Sequence, residues 1–431
     1  MTATSDRLAA PEVDRAAERA HERDFGALAE RVEREGFVAE QLIAEVQRFE
    51  VALPSWAFAT GGTRFGRFPG TGEPRTLREK MEDAAVVHGL TGAAPRISLH
   101  IPWDAADDLD EVRADARRLG IGFDAVNSNT FQDQPGQMLS YKLGSFSNPN
   151  EAVRRQAIEH HLHVIEVGKA VGSKALSVWL ADGSNYPGQM SLRGSFDRVR
   201  ECLQEVYAAL PGDWRLFTEH KPYEPALYAT VVQDWGSSLL LAQALGERAQ
   251  CLVDLGHHLP SVNVELIVAR LLGVGRLGGF HFNDSKYGDD DLTAGSIKPY
   301  VLFLIFHELV LAARERLPGF DPAYMIDQSH NIKDPIESLL QTVDQLQQAY
   351  AKACLVDHPL LAEQQASGDV IMAERTLKRA FETDVRPLVA EARRRRGGAL
   401  DPVVAFRASG YRAKKTTERP PAPSGGAPTH L

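Results

Sequence analysis

The chain has 431 residues, 43% hydrophobic and 25% charged, with a formal net charge of −10. That length allows a large core or two domains, and the acidic balance argues against nucleic acid, which needs clustered lysine and arginine. The three widely spaced cysteines, Cys202, Cys251 and Cys354, give no zinc-finger pattern and suit a reducing cytoplasm, and no apolar run approaches the ~20 residues of a membrane span.

Residues 1–50 are charged and alanine-rich, and AERVEREGFVAEQLIAEVQRF has helical periodicity, so one or two helices are expected outside the main fold. The first residues hold no apolar leader core, which fits an expected cytoplasmic location. Between about 51 and 330, short apolar runs recur, and each ends in polar residues. They are VALPSWAF (51–58), RISLHIPW (96–103), GFDAVNSN (122–129), ALSVWLAD (175–182), WRLFTEHK (214–221), QCLVDLGHH (250–258), LGGFHFND (277–284) and AYMIDQS (323–329). Amphipathic stretches such as FDRVRECLQEVYAAL separate them. Eight buried strands alternating with helices predict an α/β fold, a (β/α)8 TIM barrel. A doubly wound open sheet is the rival, weakened because no G-x-G-x-x-G follows the first strand. Residues 331–415 read as a C-terminal helical extension, and the Pro/Gly-rich residues 416–431 as a disordered tail. The run Arg393–Arg396 reads as a solvated helix end that complements the helix dipole.

In such a barrel, chemistry sits where strands end. The fifth run delivers Glu219 and Lys221, and the sixth delivers Asp254, with His257 just beyond. The seventh gives His281, its loop gives Asp289 and Asp291, and the eighth gives Asp327. These are oxygen and imidazole donors suited to a hard or borderline divalent cation. Two carboxylates ~5 Å apart repel by roughly 3 kcal/mol at an effective dielectric of ~20. Five converging carboxylates beside one lysine therefore call for cations, and neutrality calls for two. A bland reading exists for each residue: a strand-end aspartate is commonly a helix cap, which is expected of Asp284 and Asp290. His160, His161 and His163 lie in one helical pattern and read as structural or surface residues. His100, Trp103, Asn127, Asn129, Trp179 and Asp182 end the earlier strands, and the glycine-rich TGGTRFGRFPGTGEPR (60–75) suggests a lid or subunit contact. Metals, a lysine, hydrogen-bonding groups and flat aromatic walls together describe a carbohydrate pocket.

The motifs SWAFATGGTRFGRFPGTGEPR, SLHIPWD, AVNSNTF, FTEHKPYEPA, LVDLGHH, GGFHFNDSKYGDDDL and MIDQSHN together resemble bacterial L-rhamnose isomerase, over roughly residues 40–415. The likeness is to the branch of broad substrate use. It implies a homotetramer and two divalent ions per subunit, most commonly Mn2+, with Co2+ an alternative. One site would be Glu219, Asp254, His281 and Asp327; the other would be Asp254 as a bridge, His257, Asp289 and Asp291. Lys221 matches the lysine near the sugar O1, His100 the histidine of ring opening, and Asp327 is the candidate for moving protons between oxygens. Trp179, His257, Glu219 and Phe65 would touch the sugar, Phe65 from the neighbouring subunit. The implied reaction interconverts L-rhamnose and L-rhamnulose, with L-lyxose, L-mannose and D-allose as related substrates. The resemblance leans to a hydride shift over an enediol route.

Two other classes compete. A metal-dependent phosphodiesterase would use similar ligands but calls for a basic groove. A non-catalytic sugar-binding protein would not need this carboxylate density or Lys221.

Overall fold

The computed structural model describes residues 15–60, 62–63, 66–224, 228–330 and 332–419. Eight parallel strands form a closed barrel: β1 (Ala52–Pro54), β2 (Arg96–Ile101), β3 (Gly122–Ser128), β4 (Ala175–Val178), β5 (Arg215–Glu219), β6 (Ala249–Asp254), β7 (Leu277–Phe282) and β8 (Ala323–Ile326). Neighbours in sequence are neighbours in space, and β1 pairs with β8 through Ala52 and Met325 to close the ring. The eight apolar runs are thus the eight strands. Each strand stops one to four residues short of its run, where the chain turns into the loops that carry the polar residues.

Two helices precede the barrel, α1 (Arg15–Arg34) and α2 (Ala39–Arg48), separated at Gly36 in the left-handed region (φ 89°). One helix then follows each strand: α3 (Leu77–Thr91), α4 (Leu109–Leu119), α5 (Glu151–Val171), α6 (Leu192–Ala209), α7 (Trp235–Leu245), α8 (Val264–Gly273), α9 (Pro299–Arg314) and α10 (Pro335–Cys354). Many are started by side-chain caps, with Thr76, Asp108, Asn150, Ser191, Asp234, Asn263 and Asp334 each accepting a first-turn N–H. The chain continues as α11 (His358–Ser367), α12 (Val370–Glu382), α13 (Arg386–Arg395), α14 (Pro402–Ala408) and α15 (Tyr411–Glu418). The tail expected to be disordered from residue 416 is corrected at its start, where residues 416–418 complete α15 and Arg419 is buried against α3, and residues 420–431 lie outside the described residues.

The main apolar core lies between strands and helices. A smaller cluster of Ala52, Ala125, Ala175, Phe217, Leu252 and Met325 fills the barrel's inside. The strands are buried on both faces, which explains why they read as continuous apolar runs. A Cβ at Gly278 would stand 2.7 Å from Phe217, and one at Gly279 would stand 2.4 Å from the Ala323 carbonyl, so β7 packs here only as glycine. One sequence expectation is corrected at α13. Arg393 is buried and pairs with Asp344, because α13 lies on α10, and only Arg394–Arg396 are exposed. Among the described residues no helix is long and apolar enough to cross a membrane.

Candidate metal centre

Strand register assembles the site. Glu219 and Asp254 are the last residues of β5 and β6, His281 is the last but one of β7, and Asp327 follows β8 directly. Asp254 and His281 are partners in the β6–β7 ladder, so their side chains leave the barrel at one level. Ligand atoms of Glu219, Asp254, His281 and Asp327 lie within 4.8 Å of one another. Asp254, His257 and Asp289 form a second such group, so Asp254 belongs to both.

His281 aims Nδ1 into the first group, 3.1 Å from Glu219 Oε1, 3.6 Å from Asp327 Oδ2 and 3.9 Å from Asp254 Oδ2. Its Nε2, buried on the other side, has no hydrogen-bond partner among the described residues. His257 presents Nε2 to Asp289 Oδ1 at 3.1 Å, and its Nδ1 lies 3.1 Å from the His220 carbonyl. A ring nitrogen that donates to a backbone carbonyl leaves the opposite nitrogen free for a metal. Asp254 is wholly buried and receives the Asn283 amide at 2.9 and 3.0 Å and the Gly256 N–H at 2.7 Å. The indole N–H of Trp56 donates to Asp327 Oδ1 at 2.7 Å.

The electrostatics are polarised. Burial pushes the Asp254 and Asp327 carboxyls above the usual carboxylate range, with nearby histidines only partly offsetting it. Burial acts on Glu219 in the same sense, but His281 and His257 outweigh it and hold that carboxyl low. Burial opposes the charge on His281 too, yet Glu219 beside it pushes the ring up to about 9. Buried carboxylates and histidines that perturb one another this strongly in one cleft make it a candidate functional site. This donor set, with acidic oxygens and imidazole nitrogens already converged and no thiolate, could bind a metal.

Asp289 and Asp291 behave differently. Asp289 pairs with Lys221 and His257, and these cations outweigh burial to hold it low. Asp291 lies outside both groups, although burial and the charges of Asp289, Asp327 and Asp254 push its carboxyl up. Its backbone is left-handed (φ 48°), an uncommon conformation for a residue other than glycine. Asp284 and Asp290 tie the loop together, as a cap-like reading expects. Asp284 Oδ2 accepts the N–H groups of Ile297 and Lys298 at 2.7 and 2.9 Å, and Asp290 Oδ2 accepts that of Tyr287 at 2.7 Å.

Lys221 is buried, pairs with Glu224 at 2.6 Å and lies 5.0 Å from the Trp179 ring. His100 stacks on Trp103 with centroids 4.0 Å apart, and its Nδ1 has no partner among the described residues. Burial lowers the ring to about 3, so His100 is neutral. Phe131 closes the wall, 4.9 Å from Trp179 and 5.6 Å from His100. Phe65 lies outside the described residues. His161 is fully buried and bonds Ser128, and His160 contacts the Asn129 N–H, so both support the end of β3. Sequence reading missed Trp56, Phe131, Glu224 and Asn283. Asn283 had a signal, lying two residues past His281 and so on the same side of the strand.

No family model matches the chain. Two relatives, each described as a "probable sugar isomerase", come from Mesorhizobium japonicum and Rhizobium meliloti. Each is 57% identical to the chain, over 406 and 404 residues, which is 94% of this chain and 94% of the relative. A xylose isomerase of Thermus thermophilus is 29% identical over 244 residues, 51% of this chain and 60% of that enzyme. The solved structure of an L-ribulose 3-epimerase superposes with a TM-score of 0.52 at 15% identity, covering 72% of this chain and 98% of the other, a likeness of fold. With near-complete coverage at 57% identity, the chain belongs to the sugar isomerase family, built on a xylose-isomerase-like barrel.

Proposed function

We propose that this chain is a metal-dependent aldose–ketose isomerase that interconverts L-rhamnose and L-rhamnulose and also takes L-lyxose, L-mannose and D-allose. The observation that carries the reaction class is the pair of ligand groups sharing Asp254, with Lys221 and an aromatic wall beside them. The motif resemblance to L-rhamnose isomerase supports the substrate. Glu219, Asp254, His281 and Asp327 would hold one divalent ion, and Asp254, His257, Asp289 and Asp291 a second, with Mn2+ the first choice. Bound there, the ions supply Lewis acidity to the sugar's hydroxyl and carbonyl oxygens.

The reaction moves hydrogen between C1 and C2 and protons between O1 and O2. Lys221 carries its charge firmly, because Asp289 and Glu224 outweigh the burial that would lower it. Its ammonium donates to O1 as negative charge grows there. Asp327, held by the Trp56 N–H, moves the proton between the two oxygens. Neutral His100, with Nδ1 free of protein partners among the described residues, serves the proton that leaves the anomeric hydroxyl for the ring oxygen. Trp179 and Phe131 face the sugar's apolar side and exclude water. In this reading the enzyme works as a homotetramer.

The test is an isomerisation assay of Mn2+-loaded protein against a panel of aldoses. L-rhamnose is expected to give the highest kcat/KM and a ketose product. Conversion of L-rhamnose no faster than the chelated control overturns the substrate. Light scattering checks the tetramer.

A further inference from the structure

Resting on the isomerase reading above, we propose that Asp104, held by Lys80 and Ser55, is a positioning residue that sets His100 and Trp56 against the sugar. Asp104 belongs to neither ligand group and is 2% exposed. Its Oδ2 accepts the backbone N–H of His100 at 2.7 Å and the hydroxyl of Ser55, and its Oδ1 takes the Lys80 ammonium at 2.6 Å. The Asp104 N–H returns to the His100 carbonyl at 2.9 Å, so the turn from His100 to Asp104 is closed by reciprocal bonds. Trp103 lies inside that turn and stacks on His100.

Ser55 is the link to the other strand. It is fully buried just past β1 and directly precedes Trp56, whose indole holds Asp327. The Trp56 ring also meets His100 edge-on at 5.5 Å. One carboxylate therefore joins the turn bearing His100 to the turn bearing Trp56, from behind the surface they present. Buried main-chain bonds to an ionised side chain are short and directional, which suits them to fixing geometry. Asparagine at 104 keeps the shape but must turn an N–H2 either toward the Lys80 ammonium or toward the two donors at Oδ2. The metal groups stand on or beside β5 to β8, and Asp104 reaches them through Trp56 and its bond to Asp327.

The experiment compares wild type, Asp104→Asn and Ser55→Ala as Mn2+-loaded protein. Asp104→Asn is expected to lower kcat by about tenfold or more with a smaller change in KM and with Mn2+ affinity near wild type, while Tm falls because the largely buried Lys80 ammonium loses its carboxylate. Ser55→Ala, which removes one donor of the set, is expected to fall between. If kcat falls only in step with Mn2+ affinity in both variants, Asp104 is merely structural and the proposal fails; an unchanged kcat also overturns it. Should Asp104→Asn not fold, Ser55→Ala decides by the same criteria. If the wild type converts no aldose, the isomerase reading fails by itself. Near-ultraviolet circular dichroism of the tryptophans then reads the positioning: a changed spectrum in Asp104→Asn supports it, and an unchanged one overturns it.

Discussion

Lys221 is a buried ammonium wedged between Asp289, Glu224 and the face of Trp179, with its backbone N–H bonded to the Val232 carbonyl. It sits two residues past Glu219 yet is no ligand, so its removal separates charge stabilisation from metal binding. Lys221→Met is expected to retain Mn2+ and to lose on the order of 100-fold or more in kcat, as when one donor to a developing oxyanion is removed. Metal analysis beside steady-state kinetics checks this, and near-normal kcat in the variant refutes the role. At this scale the sequence was informative where chemistry requires a residue type at a strand end: Glu219, Asp254, His281 and Asp327 were all read from strand ends, and the structure brings them into one group. It also separated two kinds of aspartate in one loop, since Asp284 and Asp290 accept backbone N–H groups while Asp289 faces His257. It could not place Trp56 or Phe131, because an aromatic residue in a loop looks the same whether it lines a site or packs a core.

Elements meet through contacts that no local pattern announces. The eight strands were legible because a strand buried on both faces reads as an apolar run. The docking of α15 on α3 was not, for it joins residues more than 300 positions apart. Arg419, 2% exposed, donates to both oxygens of the fully buried Asp83 at 2.9 Å, and the Tyr411 hydroxyl donates to the same carboxylate at 2.7 Å. Arg419 and Arg412 also bond the Gly72 carbonyl, at the base of the glycine-rich loop. Arg419→Met leaves Asp83 buried without its cation and is expected to cost about 3–5 kcal/mol, whereas Asp83→Asn/Arg419→Met recovers part of that loss. Denaturant midpoints of the two variants measure it. A second contact joins α9 to α11. His358 Nε2 donates to His307 Nδ1 at 3.2 Å, while Arg314 donates to His358 Nδ1 at 2.6 Å. Burial, reinforced by Arg314, lowers both rings to about 4, below the ordinary 6.5. Their contribution is therefore present above pH 6.5 and is lost as pH falls toward 4. His358→Gln is expected to melt below wild type at pH 7.5, with the gap narrowing by pH 5. A constant gap would show that these rings do not titrate on unfolding.

For the molecule as a whole, four successive strands, β5 to β8, deliver acidic or imidazole groups to one end of a closed ring. Without a cation, Glu219, Asp254, Asp289, Asp291 and Asp327 are balanced among the described residues by His257, His281 and Lys221. Bound ions would therefore stabilise the barrel as well as serve catalysis. Each ion present at 100 times its Kd adds about 2.7 kcal/mol. Chelation should lower Tm by several degrees, and Mn2+ should restore it. The two groups differ in their support, because Glu219, Asp254, His281 and Asp327 stand on or beside strands, while His257 and Asp289 stand in loops, and Asp291, outside both groups, shares the Asp289 loop. Loop positions open locally at lower cost, so the second ion should bind more weakly. Asp291→Asn keeps a residue type tolerated in the left-handed region and relieves a carboxyl crowded by Asp289, Asp327 and Asp254. It is expected to lose the weaker ion and turnover, and to leave the metal-free protein at least as stable as wild type. Asp327→Asn should weaken the tighter ion and remove most of the Mn2+-dependent rise in Tm. Calorimetric Mn2+ titration and melting of both variants, with and without chelator, decide the matter, and equal loss of both ions in Asp291→Asn would remove the loop from any separate site.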